Sequence, residues 1–179
     1  MTIHVAFLRG MNVGGHRITN ADLGAAFTAL GFGSVLTFRA SGNVIFESGP
    51  GAEGELIAAI EEGLEEALGY AVPTFLRGAT ELRAIADFEP FEAGRVAASA
   101  GKLQVSLLSR QPTEEQRDAI LALTTGEDPL ALTGRELYWL PSGGLLESEL
   151  DLDAIDAITG PSTRRTMGTI EGIAAKLPR

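Results

Sequence analysis

The chain opens on an alternation. Ile3, Val5 and Phe7 interleave with His4, Ala6 and Leu8, which predicts a strand with both faces mostly apolar, hence a central one. Thr19 with Asp22 three residues later resembles a capping box, and Leu23, Ala26, Phe27 and Leu30 recur at helical spacing until Gly31. Val35–Ala40 and Asn43–Glu47 are β-type runs separated by Ser41-Gly42, which predicts a tight hairpin. After Gly49-Pro50-Gly51, the residues Leu56, Ile57, Ile60, Leu64 and Leu68 trace one helix face, with Glu61, Glu62, Glu65 and Glu66 on the solvated one. Ala71–Arg77 reads as a further strand.

The order strand, helix, strand, strand, helix, strand predicts a ferredoxin-like βαββαβ sandwich over residues 1–78. In that topology the first and third strands are neighbours. The end of the first strand and the turn between the second and third then lie at one end of the sheet. Residues 79–179 predict a second, smaller α+β unit, so the fold class is α+β throughout. Its pattern gives a helix over Thr80–Phe88, a strand over Lys102–Ser109, and a helix from the Thr113/Gln116 capping box to Leu123. Short strands at Leu130–Thr133, Glu136–Leu140 and Leu145–Glu147 follow, then helices over Asp151–Ile158 and Thr163–Leu177. No residue-level similarity between the halves supports a repeat. The open sheet face of the first unit is expected to be covered by the second.

Composition narrows the chemistry. The absence of cysteine excludes disulfides and thiolate chemistry, and two histidines, His4 and His16, are too few for a structural zinc site, so no metal is expected. No apolar run approaches the roughly 20 residues of a membrane helix, and Met1 leads straight into a strand pattern, so no membrane partner and a cytoplasmic location are expected. The net charge of -10 disfavours nucleic acid, although Pro161–Arg179 is basic, densest at Arg164-Arg165.

Two segments carry the candidate site. Leu8-Arg9-Gly10-Met11-Asn12-Val13-Gly14-Gly15 and Ala40-Ser41-Gly42-Asn43-Val44-Ile45-Phe46 place glycine and asparagine beside an apolar strand, and the predicted topology makes them one rim. Gly10 and Gly15 are spaced as in a P-loop, but His16-Arg17 stand where that loop needs Lys and Ser or Thr. A looser anion site needs no lysine, because amides of a Gly-rich turn and a helix start can face an anion. Arg9 and Arg39 would supply charge, Asn12 and Asn43 would orient the ligand, and the amides of Val13, Gly14 and Gly15 would cradle it, with Ser41 and Arg164 as further candidates. The alternative is a strand-to-helix connection and a hairpin whose glycines only solve geometry.

His16 has no carboxylate beside it in sequence to orient it as an acid or base, and His4 reads as a packed strand residue. Asp151, Asp153 and Asp156 lack the glycine and glutamate of a calcium loop and suit a helix start. Tyr138 and Trp139 read as core. No nucleophile with its base is present, so catalytic residues and cofactor are undefined. The function classes left open are a binder of, or enzyme on, a phosphorylated or carboxylated metabolite, and an RNA or protein interaction module using the rim and a basic C-terminal helix.

The two rim segments, with Ser162-Thr163-Arg164, resemble a bacterial family defined as domain of unknown function 1697, over nearly the whole length. Similar members carry Asn-Trp-Asn-Thr where this chain has Arg165-Thr166-Met167-Gly168-Thr169, and Arg-Ser-Lys-Leu where it has Glu147-Ser148-Glu149-Leu150. The resemblance implies a two-part α+β protein related to ferredoxin-like folds. It implies no activity, substrate or cofactor.

Overall fold

The computed structural model describes residues 1–11, 15, 17–39 and 42–178. They form a mixed α+β protein of two four-stranded antiparallel sheets and seven helices. The chain divides into two compact units, Met1–Arg83 with Ile173–Arg179, and Ala84–Gly172.

In the first unit the order is β1 (Thr2–Leu8), α1 (Asn20–Ala29), β2 (Gly33–Thr37), β3 (Asn43–Ser48), α2 (Glu53–Leu68), β4 (Thr74–Gly78) and α3 (Ala79–Ala86), whose last residues fall in the second unit. The sheet order is β2-β3-β1-β4 with every neighbouring pair antiparallel. The doubly apolar β1 is therefore central, as its alternation predicts, and it lies beside β3, as the strand order predicts. Ala6, Leu8, Val44, Phe46 and Leu76 pack with Leu23 and Phe27 of α1 and Ile60 and Leu64 of α2. On the opposite face Val5, Phe7, Ile45 and Phe75 are buried too, and so is the whole of Arg77.

Local chemistry sets the element ends. The Thr19 hydroxyl accepts from the Asp22 amide at 3.1 Å and donates to the Asp22 carboxylate at 2.7 Å, so α1 begins on a closed cap. His4 stacks on Phe46 with ring centroids 5.6 Å apart, and burial lowers its pKa while Glu53 opposes the shift. Glu61 departs from the solvated face expected of it: its carboxylate accepts from the Thr74 amide at 2.8 Å and fixes the entry to β4. The hairpin is also longer than a two-residue turn. Phe38 and Asn43 bracket the loop, the Phe38 amide donating to the Asn43 carbonyl at 2.9 Å, and β2 ends at Thr37.

The second unit runs through α4 (Ala93–Ala98), β5 (Gln104–Leu108), α5 (Glu114–Leu121), β6 (Leu130–Thr133), β7 (Glu136–Trp139), α6 (Leu152–Thr159), β8 (Ser162–Thr166) and α7 (Met167–Ala174), whose end belongs to the first unit. Its sheet order, β6-β7-β5-β8, places these strands as β2, β3, β1 and β4 are placed in the first unit. Both capping motifs hold, at Thr113 with Gln116 and at Asp151, whose carboxylate accepts from Ala154 at 2.9 Å.

Two expectations are corrected. Ser162–Thr166 is a strand, paired with β5 from Leu108↔Ser162 to Gln104↔Thr166, and not the start of a helix. Its polar sequence hides the strand because the pairing supplies the order that apolar alternation would otherwise signal. Leu145–Glu147 is a turn, closed by Glu147 donating its amide to Gly144 and accepting the Gly144 amide, with Leu146 wholly exposed.

Ile120, Leu137, Trp139, Leu150 and Ile155 form the core of this unit. The Trp139 indole donates to the Asp128 carboxylate at 2.8 Å, and both residues are buried. Asp128→Ala should strand that indole N–H and cost about 1–3 kcal/mol. Because Trp139 is the only tryptophan, its fluorescence reports the loss directly in urea unfolding, where an unchanged midpoint would show the bond to be dispensable.

Candidate functional site

The site is built where β1 ends. Phe7 pairs with Asn43, and one residue further the Leu8 amide donates to the Gly42 carbonyl at 2.8 Å. The Arg9 amide then donates to the Pro73 carbonyl at 2.9 Å, so the chain leaves the sheet held on both sides. This brings Leu8, at the start of the first segment, against Gly42 of the second at one sheet end, in the relation the strand order predicts.

Gly42 is the contact point. It lies at φ +70°, and a Cβ built there would meet Met11 Cγ at 2.9 Å, Leu8 Cβ at 3.0 Å and the Leu8 carbonyl oxygen at 3.3 Å. Glycine is thus needed for its conformation and for its lack of a side chain. Met11 is buried beside it. Gly10 and Gly15 also adopt positive φ, at +77° and +90°.

Asn43 is fully buried, and its side-chain amide donates to the Phe38 carbonyl at 2.9 Å. That contact ties the start of β3 to the residue that follows β2. Arg39 is exposed at φ +56°, with its guanidinium carbon 5.3 Å from the centre of the Phe38 ring. Left-handed backbone is costly for a side chain of this size, so the surrounding hydrogen bonds must impose it. Arg9 and Arg17 are exposed as well. The start of α1 is capped by Thr19 and by the carboxylate of Asp22. Asn12, Val13, Gly14, His16 and Ser41 lie outside the described residues.

Arg164 belongs to the second unit. It stands on β8, where its Nε donates to the Ser106 hydroxyl at 3.1 Å and its guanidinium carbon lies 5.1 Å from the Trp139 ring. Burial lowers its pKa, with Asp156 opposing. Arg165 is lowered by burial to about 10, and it donates to the Thr163 hydroxyl and the Arg164 carbonyl. The pair is engaged within a sheet, which corrects the expectation of a basic C-terminal helix.

Sequence reasoning misses Phe38 and Pro73, which hold the rim through main-chain carbonyls that no side-chain pattern reveals. Among the described residues no group of three or more His, Asp or Glu is placed to hold a metal ion, and no helix is long and apolar enough to cross a membrane.

The family described as "Protein of unknown function (DUF1697)" matches residues 1–138, and the chain belongs to it. Among solved structures, the conserved bacterial protein SP0830 from Streptococcus pneumoniae is similar, with a TM-score of 0.73 and 20% identity over 98% of this chain and 97% of that one. At that identity the likeness is one of fold. Comparison with curated proteins finds no match.

Proposed function

We propose that this member of the DUF1697 family binds a small anion, a phosphorylated or carboxylated metabolite, at the rim formed by residues 9–15 and 39–43. The observation that supports the reading is the Leu8–Gly42 hydrogen bond, which joins the residue before Arg9 to a glycine three residues after Arg39. Two exposed guanidiniums on adjoining loops suit a bidentate, doubly contacted anion. The left-handed Arg39 adds support, because backbone strain of that kind collects at binding sites. Arg9 and Arg39 hold the charge in this reading, Asn12 orients the ligand, and the amides of Val13 to Gly15 cradle it.

Thermal-shift screening with nucleotides, sugar phosphates and di- and tricarboxylates tests it. A ligand at about ten times its Kd adds about 1.4 kcal/mol, or roughly 3–6 °C for a chain of this size. Arg9→Ala and Arg39→Ala should each remove most of that shift while leaving the unliganded melting temperature close to wild type. A screen in which no anion raises the melting temperature would refute the reading.

A further inference from the structure

The second unit holds a cavity of about 260 Å³ between the segment after α3, helix α4, the start of β5 and the start of α7. Phe88, Phe91, Leu103 and Met167 give it apolar walls, and the lining also includes two exposed glutamates, Glu89 after α3 and Glu171 on α7. Among the described residues no Lys or Arg lines it. Phe88 remains 37% exposed although its ring packs on Tyr138 at 5.0 Å between centroids. An aromatic fixed on one neighbour and still open, in a concave apolar wall, is a surface that gains by being covered.

We propose that this cavity binds a small primary amine with a compact apolar body, its ammonium group facing Glu89 and Glu171. Size and charge define the class. The space holds roughly nine water molecules at bulk density, which sets the occupant at fragment size. The walls favour an apolar body by releasing water, and the aromatic rings add cation–π attraction for an ammonium group. Two carboxylates with no cation among the lining side chains attract an amine and repel an acid of the same shape. The site is separate in chemistry from the rim, which is arginine-bearing and suited to anions.

The chain contains three methionines, Met1, Met11 and Met167, so methyl labelling of methionine gives a compact test on the full-length protein. Met167 lines the cavity and Met11 lies against Gly42 at the rim. Millimolar phenethylammonium should shift the Met167 methyl saturably and leave Met1 and Met11 in place. 3-Phenylpropionate, of similar shape and opposite charge, should bind at least about ten-fold more weakly. The double variant Glu89→Gln with Glu171→Gln should weaken the amine by about ten-fold with an unchanged melting temperature. Ala97→Trp, at an exposed position of the lining, should fill the space and abolish the response. An unmoved Met167 methyl, equal binding of amine and acid, or an unchanged affinity in the glutamine variant would each overturn the proposal. Loss of anion binding at the rim would leave Met167 responding and is read separately through Met11.

Discussion

Gly42→Ala should destabilise the protein by about 2–4 kcal/mol, with Gly15→Ala costing only about 1 kcal/mol. Both glycines have positive φ, +70° and +90°, so both substitutions carry the backbone penalty of a left-handed residue. They differ in what the new methyl meets. At Gly15 nothing among the described residues lies within 4 Å, whereas at Gly42 the Cβ would press on Met11 Cγ at 2.9 Å and Leu8 Cβ at 3.0 Å. Met11 can yield, because its chain is long and flexible. Leu8 cannot, since its main chain is held by the hydrogen bond to Gly42 itself. Relief therefore requires the two loops to part. For a chain of this length the loss corresponds to roughly 5–15 °C in melting temperature, measurable by calorimetry beside urea unfolding. Equal losses at the two glycines would show that the loops are not in contact at Gly42.

That contact was legible in the sequence because it follows from strand order, and strand order follows from strong local signals. The alternation of Ile3 to Leu8 marks a central strand, and the caps at Thr19 and Thr113 depend on residues three apart. What escaped depends on distant partners. Thr163, Arg164, Arg165 and Thr166 show no apolar period, and they form a strand because β5 supplies a partner at every position. Leu145 and Leu146 are apolar yet form a turn, because Gly144 bonds back to Glu147. Glu61 looked like one of four solvated acids until the Thr74 amide reached it. The same distinction applies to function. The proposed rim is two short motifs joined by topology, whereas the proposed amine site gathers Phe88, Phe91, Leu103 and Met167 from separate stretches with no shared pattern.

Arg77→Ala should cost about 3 kcal/mol, and Arg77→Met less than half as much. Arg77 is completely buried on β4, opposite Val5 of the central strand. Its Nη1 donates to the Leu76 carbonyl at 2.7 Å, and its Nε lies 3.5 Å from the Glu81 carboxylate, one turn into α3. Arg165 repeats the arrangement in the second unit, opposite Val105 and donating to the carbonyl of the preceding residue at 2.8 Å. Alanine removes a long side chain from a closed space and leaves a cavity as well as a lost hydrogen bond. The ion pair itself contributes less, because Glu81 is 35% exposed and water stabilises its carboxylate when the cation is gone. Methionine keeps most of the volume and removes the cost of burying a charge, so it recovers most of what alanine loses. Urea unfolding of the two variants separates the contributions. Equal losses for alanine and methionine would assign the stability to the charge and its hydrogen bonds; an Arg77→Ala change within about 0.5 kcal/mol of wild type would mean that the buried guanidinium is tolerated and not required.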